Sequence, residues 1–410
     1  MAPSAGVASR IWNFIKHHGW LSLHYAGIVF GPANTSVFSY DNPGTNPYNT
    51  ETVKYLPGLI LLVLAQAADV DAAERDPLFQ DDSVIKAVLT APIAQAFAQR
   101  DQDVRIYFPG QWTYTSSDGS TKRLDVSIRT RGLFRREYCQ LPPLQLNFKK
   151  GQVKETLFAG QNKLKVVSPC QHGPKSQQNT VLEYLAYRTF QILTDHSFGT
   201  RLVRLSYVDS DEKIKPWTDL VFVIEDDADM AKRLGLTRLK VVSNRFDQLD
   251  HSTTALADLF QLLIANSDYS VLNVGEGREC CHNSEILALK DNADVRIPVP
   301  YDFDLSGLVN AKYAAPPSHM PIRFVRTRYY RGLCQPPGVL EEAIAHVQSK
   351  REEILALFAD AKELEPSKKK KTLRYIEQYF EILDDPETLS KEVLGRCRGK
   401  EELAEMLSKD

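Results

Sequence analysis

Apolar and polar positions alternate through the first half of the chain. Val104, Ile106 and Phe108 fall on one face. A turn at 117–120 joins Trp112 and Tyr114 to a second run with Leu124, Val126 and Ile128 on one side. Leu144, Leu146 and Phe148, then Leu164 and Val166, repeat the spacing. Period two marks half-buried strands, so this section predicts antiparallel hairpins. Residues 83–100 predict a helix instead, with Val84, Ile85, Val88, Leu89, Ile93 and Phe97 on one side. Residues 179–193 predict a helix that buries Leu182, Leu185, Ala186, Phe190 and Leu193. Apolar strands follow at 202–208 and 220–224, the second running through Glu225-Asp226-Asp227 into a helix at 230–234. Further helices are predicted at 255–265, 338–357 and 371–383.

Candidate chemistry concentrates in 262–307. An apolar helical run ends in a polar loop holding Asp268. A cysteine-bearing turn leads to His282-Asn283, then to the strand 286–289, a polar turn at 290–294, and a second strand at 295–300 that ends on Asp302-Phe303-Asp304. Acid loop, Asn, hairpin and acid pair is the order by which a kinase-type site holds a base and metal ligands. Phosphoryl transfer asks little covalent chemistry of a protein. It asks for a carboxylate to orient the attacking hydroxyl, here Asp268, and oxygen ligands for magnesium, here Asp302 with Asp304 and an Asn. Asn273 has the spacing, five residues after Asp268. Asn283 has the context, just before a strand that pairs with the strand carrying Asp302, and is preferred.

At these residues the chain resembles the CotH-like (spore-coat protein H) atypical protein kinase family, over roughly residues 100–330. That family ends its metal strand in a proline, an aromatic and Asp-x-Asp, as Pro300-Tyr301-Asp302-Phe303-Asp304 does here, and opens the preceding strand with an Asn. Arg131-Gly132 is similar to the family's Arg-Gly near its nucleotide loop, and the likeness continues through 164–186. The resemblance implies an α+β, two-lobed protein-kinase-like fold: an antiparallel β-rich N-lobe at 101–225, and a helical C-lobe at 226–335 with a metal-binding hairpin. It implies ATP and magnesium as cofactors, with transfer of the γ-phosphate to a hydroxyl on a protein substrate. Within that scheme Lys165 is the candidate phosphate-binding lysine, with Arg131 as the alternative cation. Glu183 would orient the lysine from its helix, or serve only as an acid near a helix start. Backbone groups of Glu225 and Asp226 would meet adenine at a hinge. Two other readings stand beside this one: a catalytically silent envelope or surface-interaction protein that keeps the fold, and a nucleotidyl transferase on the same scaffold.

Composition changes the picture little. The 410 residues have a formal net charge of −2, 25% charged and 43% hydrophobic residues, an ordinary globular balance with no sign of nucleic-acid binding. Lys54, the apolar run 56–64 and Ala65-Gln66-Ala67 have the form of a signal peptide at 53–67, too short for a transmembrane span. Its position implies a mis-assigned N-terminal extension at 1–52, and export to a periplasmic or extracellular place. Residues 68–100 form a lead-in and helix, and 336–410 form C-terminal helices. Six cysteines without a Cys-x-x-Cys pair argue against zinc and, in an exported chain, for disulfides. Six allow fifteen pairings, among which the sequence selects none; Cys139 with Cys170 and Cys334 with Cys280 or Cys281 fit the expected neighbours, and buried reduced thiols are the alternative. The run Arg323, Arg326, Arg328 and Arg331 reads as a solvated face, or else as a receiver of acidic substrate or phosphate. There is no Gly-x-Ser-x-Gly elbow and no Walker motif.

Overall fold

The computed structural model of the chain describes residues 74–241, 243–272 and 280–408. Residues Ala68–Asp410 cluster into one unit. The expected N-terminal extension and signal segment, and Asn273, lie outside the described residues.

Seven strands make the first layer: β1 (Ile85–Ala91), β2 (Phe108–Thr115), β3 (Thr121–Thr130), β4 (Leu144–Phe148), β5 (Lys163–Val167), β6 (Thr200–Asp209) and β7 (Trp217–Ile224). They close into a barrel in the order β1-β2-β3-β4-β5-β7-β6. Every neighbour is antiparallel except β1 and β6, which pair in parallel from Ile85–Val203 to Ala91–Asp209. The fold is therefore not the two-lobed protein-kinase-like α+β fold with an antiparallel sheet. It is a closed, mixed β-barrel followed by helices.

The correction has one local cause. Residues 83–100, read as a helix, hold β1 and the short helix α1 (Ile93–Ala98) instead. Ile85, Ala87, Leu89 and Ala91 are the buried positions, a period of two. Pro92 lacks the N–H that a helix through it would need. Without β1 the remaining strands would leave β2 and β6 as open edges; β1 pairs with both. The strand predicted from Val104 begins only at Phe108, and Val104 is 81% exposed. Trp112, Ile128, Leu146, Leu164, Val203 and Val221 belong to the buried cluster of the barrel.

The second layer begins with α2 (Phe134–Tyr138), between β3 and β4, and α3 (Pro174–Leu193), between β5 and β6. After β7 come α4 (Asp227–Arg233), the two-residue strand β8 (Thr237–Arg238), α5 (His251–Leu263) and the hairpin β9 (Ser284–Leu289) and β10 (Asn292–Pro300). The helices α6 (Val339–Ser349), α7 (Arg351–Asp360) and α8 (Pro366–Asp384) pack behind them. The single helix expected over 338–357 is thus two, meeting at Lys350. Leu185 and Phe190 of α3, Leu259 and Phe260 of α5, Val299 and Phe303 share one core with Ile344, Ile354 and Tyr379. The unbroken apolar run of β7 has a physical reason. Val221 and Val223 pack in the barrel cluster while Leu220, Phe222 and Ile224 pack with the helices, so both faces are buried.

Three cysteine pairs lie at disulfide distance: Cys139–Cys170, Cys280–Cys281 and Cys334–Cys397. The first matches expectation. The pairing of Cys334 with the 280–281 turn does not occur; its partner comes from the C-terminal segment. Cys139–Cys170 ties α2 to the start of α3 across a separation of 31 residues. Cys139→Ser is expected to lower unfolding stability by about 2–4 kcal/mol. Urea unfolding of the oxidised protein checks this; a stability equal to the parent's would remove any stabilising role for the bond.

Three of the four arginines in the run are not a solvated face; Arg323 is exposed. Arg328 donates to the carbonyls of Leu263 and Tyr375, Arg326 to Gly307, and Arg331 to Ser267. These arginines brace the segments that lead to the site. Among the described residues no helix is long and apolar enough to cross a membrane.

Candidate active site

Asp302 and Asp304 are placed by the residue between them. Phe303 is fully buried, its ring 4.6 Å from Tyr187 of α3 and 5.1 Å from Phe260 of α5. This apolar anchor fixes the turn after β10, and the backbone N–H of Asp302 donates to the Tyr187 hydroxyl at 2.9 Å. The expected hairpin forms, with Ser284 opposite Pro300. Asn283 therefore sits across from Tyr301, whose N–H donates to the Asn283 carbonyl at 3.0 Å. Asn283 and Asp302 both have left-handed backbones, φ 51° and 61°. Asn and Asp tolerate that region better than other side chains, and such residues cluster at functional sites.

Asp268 follows α5 and is tightly held. Its carboxylate accepts from the Asn283 amide at 3.0 Å and lies 2.8 Å from Nε2 of His282. Its carbonyl accepts from the same amide at 2.7 Å, and its N–H donates to Oδ1 of Asn266 at 3.0 Å. The loop before it is tied to the segment after the acid pair, through Gly307 N–H to Ala265 and Leu308 N–H to Ile264. Gly307 must be glycine, since a Cβ there would come within 2.6 Å of the Val325 carbonyl.

These parts face one cavity of about 440 Å³. Asp268, Asn283, Asp302 and Asp304 line it together with Arg131, Lys165 and Glu183, brought from the barrel and α3. Seven residues singled out in the sequence thus meet in one place. Glu225 and Asp226 do not line it. The Glu225 N–H donates to the Gly199 carbonyl, and its buried carboxylate takes Arg233 and the Gly199 N–H. Asp226 caps α4 through the Ala228 N–H. Both residues thus have structural partners, and the Glu225 N–H expected at a hinge is bonded to Gly199.

The cation partners also differ from expectation. Glu183 pairs with Arg135 of α2 at 3.0 Å, not with Lys165. Lys165 pairs with Asp227, its ammonium 5.3 Å from the centre of the Phe198 ring. Burial pushes the Lys165 ammonium below the ordinary lysine range, with Asp227 opposing. Arg131 makes no ion pair among the described residues.

Acid charge is in excess here. Asp304 accepts from the Tyr313 hydroxyl at 2.8 Å and lies 3.7 Å from Arg135. Burial pushes Glu183 and Asp304 above the usual carboxylate range; the charges of Asp304 and Asp302 add to it at Glu183, and that of Asp302 at Asp304. The Asp302 carboxylate makes no hydrogen bond or ion pair among the described residues. One free carboxylate beside two strained acids is a place where a divalent cation would relieve repulsion. Among the described residues no three His, Cys, Asp or Glu side chains form a metal cage. Magnesium on a nucleotide needs only one or two protein carboxylates, with phosphate and water completing its shell. Asp302 and the Asn283 amide oxygen suit that demand. Asp304, already engaged, suits it less.

Behind the loop, Asp258 of α5 accepts from the Tyr269 hydroxyl and the Leu333 N–H, both at 2.9 Å. Full burial raises its pKa to about 6, the two donors opposing. The folded state therefore holds a proton that the unfolded chain releases near its ordinary pKa. Stability is expected to fall by on the order of 3 kcal/mol as pH rises from about 4 to about 6, and then to level off. Asp258→Asn should remove that part of the slope, as read by urea unfolding across this range. An unchanged slope would show that other groups set it.

Sequence reading missed Arg135, Asp227, Tyr187, Tyr313 and the contact of His282 with Asp268. His282 had a visible signal, its position beside Asn283; the others become partners only through packing. No protein-family model matches the chain, and no curated protein matches it in sequence.

Proposed function

We propose that the protein is a magnesium-dependent phosphotransferase that passes the γ-phosphate of ATP to a hydroxyl on a protein. The observation that carries this reading is the division of labour among the acids. Asp268 is gripped and oriented by His282 and Asn283, while Asp302 presents a carboxylate with no protein partner to the same cavity. Asp268 orients the acceptor hydroxyl and takes its proton as the new O–P bond forms; the bond to the bridging oxygen breaks, and ADP leaves with that electron pair. Asp302 and the Asn283 amide oxygen would hold magnesium, which supplies charge neutralisation at the phosphates when bound. Arg131 is the phosphate cation in this scheme, because Lys165 is occupied by Asp227. Export belongs to the same reading: three cysteine pairs at bonding distance suit an oxidising compartment.

The occupied lysine favours one competing reading, a binding protein without catalysis. Incubation with ATP labelled at the γ-phosphate, and separately at the α-phosphate, decides between them. Label transferred from the γ position supports the proposal. Transfer from the α position identifies a nucleotidyl transferase, and no transfer with retained nucleotide binding identifies a silent site.

A further inference from the structure

A second cavity, of about 300 Å³, backs onto the first and shares Arg135, Glu183 and Asp304 with it. Its remaining charge is positive. Arg135 is committed to Glu183 and Asp304. Lys175 and Lys312 line the cavity, are exposed, and make no ion pair among the described residues. His172 lines it too, its ring edge-on to Trp217 at 5.7 Å. Its walls are braced, since Cys139–Cys170 ties the end of α2 to the loop carrying His172.

An apolar ledge joins the two cavities. Leu133 and Phe134 line the first; Tyr138 and Tyr313 line the second. Phe134 and Tyr138 stack at 4.9 Å, and both meet Tyr313, at 5.5 and 5.4 Å. Yet Leu133 is 81% exposed and Phe134 and Tyr138 about half exposed. Aromatic rings preassembled at the surface, beside unpaired lysines and continuous with a reaction cavity, are the parts of a peptide-recognition site.

The geometry points to this cavity and ledge as the acceptor subsite, taking an acidic segment of the acceptor polypeptide: carboxylates beside Lys175 and Lys312, and an apolar side chain on Phe134 and Tyr138. The word acceptor rests on the phosphotransferase reading; the peptide site does not. Electrostatic complementarity gives the preference for acid, and the aromatic ledge gives contact area.

Three peptides of one length test it, each with a Leu and a Ser and flanked by Glu, Gln or Lys. Binding to the intact oxidised chain is measured by calorimetry, with Trp217 fluorescence as a second signal. The Glu peptide is expected to bind at least about tenfold tighter than the Gln peptide. The pair Lys175→Glu and Lys312→Glu should abolish that preference and favour the Lys peptide. Phe134→Ser should weaken all three. Both are surface changes, so unchanged thermal midpoints certify folding. Equal affinity for Glu and Gln peptides, a preference that survives charge reversal, or binding of inorganic phosphate without peptide preference overturns the site. Selective peptide binding without γ-phosphate transfer would overturn the phosphotransferase reading and leave the peptide site standing.

Discussion

Asp268→Asn is expected to slow phosphate transfer by about 10²–10⁴-fold while leaving magnesium-dependent ATP binding nearly unchanged. The side chain sits in a fixed frame. Asn283 donates to it at 3.0 Å, Nε2 of His282 lies at 2.8 Å, and its backbone is pinned at both N–H and carbonyl. The amide keeps the size and most of the contacts but loses the basic oxygen that accepts the acceptor's proton. Single-turnover transfer with calorimetric ATP titration separates the two effects. Transfer at the parent rate would remove Asp268 from the chemistry.

Asp302→Asn is expected to fail at an earlier step, with loss of magnesium-dependent ATP binding and therefore of transfer. The substitution is clean, because Asn accepts the left-handed φ of 61° as readily as Asp. It is also expected to leave the thermal midpoint unchanged or raised. The Asp302 charge pushes Glu183, Asp304 and Tyr187 upward, and its attraction to Arg135 opposes that repulsion without a direct ion pair. ATP titrations with and without magnesium make the measurement. Parent-like magnesium-ATP binding by this variant would withdraw the main support for the phosphotransferase.

The contrast between these variants also shows what was readable. Asp268, Asn283 and Asp302 were found from their order along 262–307, because that order is a local device. A hairpin in register brings the residue before its first strand beside the residues after its second, whatever surrounds it. Arg131, Lys165 and Glu183 were found as residue types on the right kind of element, and the cavity gathers them. Their partners were not readable. Glu183 chose Arg135 over Lys165, and Lys165 chose Asp227, because ion pairing is settled by a few ångströms between elements distant in sequence. Glu225 and Asp226 looked like a hinge for the same reason that they act as anchors: an acidic corner between strand and helix satisfies an arginine and a helix end.

By itself the sequence determined the alternating strands of β2 to β5, the helix α3, the doubly apolar β7, the hairpin β9–β10 and the acids at its open end. Each of these follows from the period of burial or from short-range turn chemistry. Only the tertiary structure decided that 85–91 is a strand, since Ile85, Val88 and Leu89 suit a helix while Ile85, Ala87 and Leu89 suit a strand, and the open edges of β2 and β6 select the second. The same closure turned an expected open lobe into a barrel, and packing alone joined Cys334 to Cys397. Local pattern states which face of a segment is apolar. Which surface covers that face, and which charge meets which, depends on long-range contacts that no window of sequence contains.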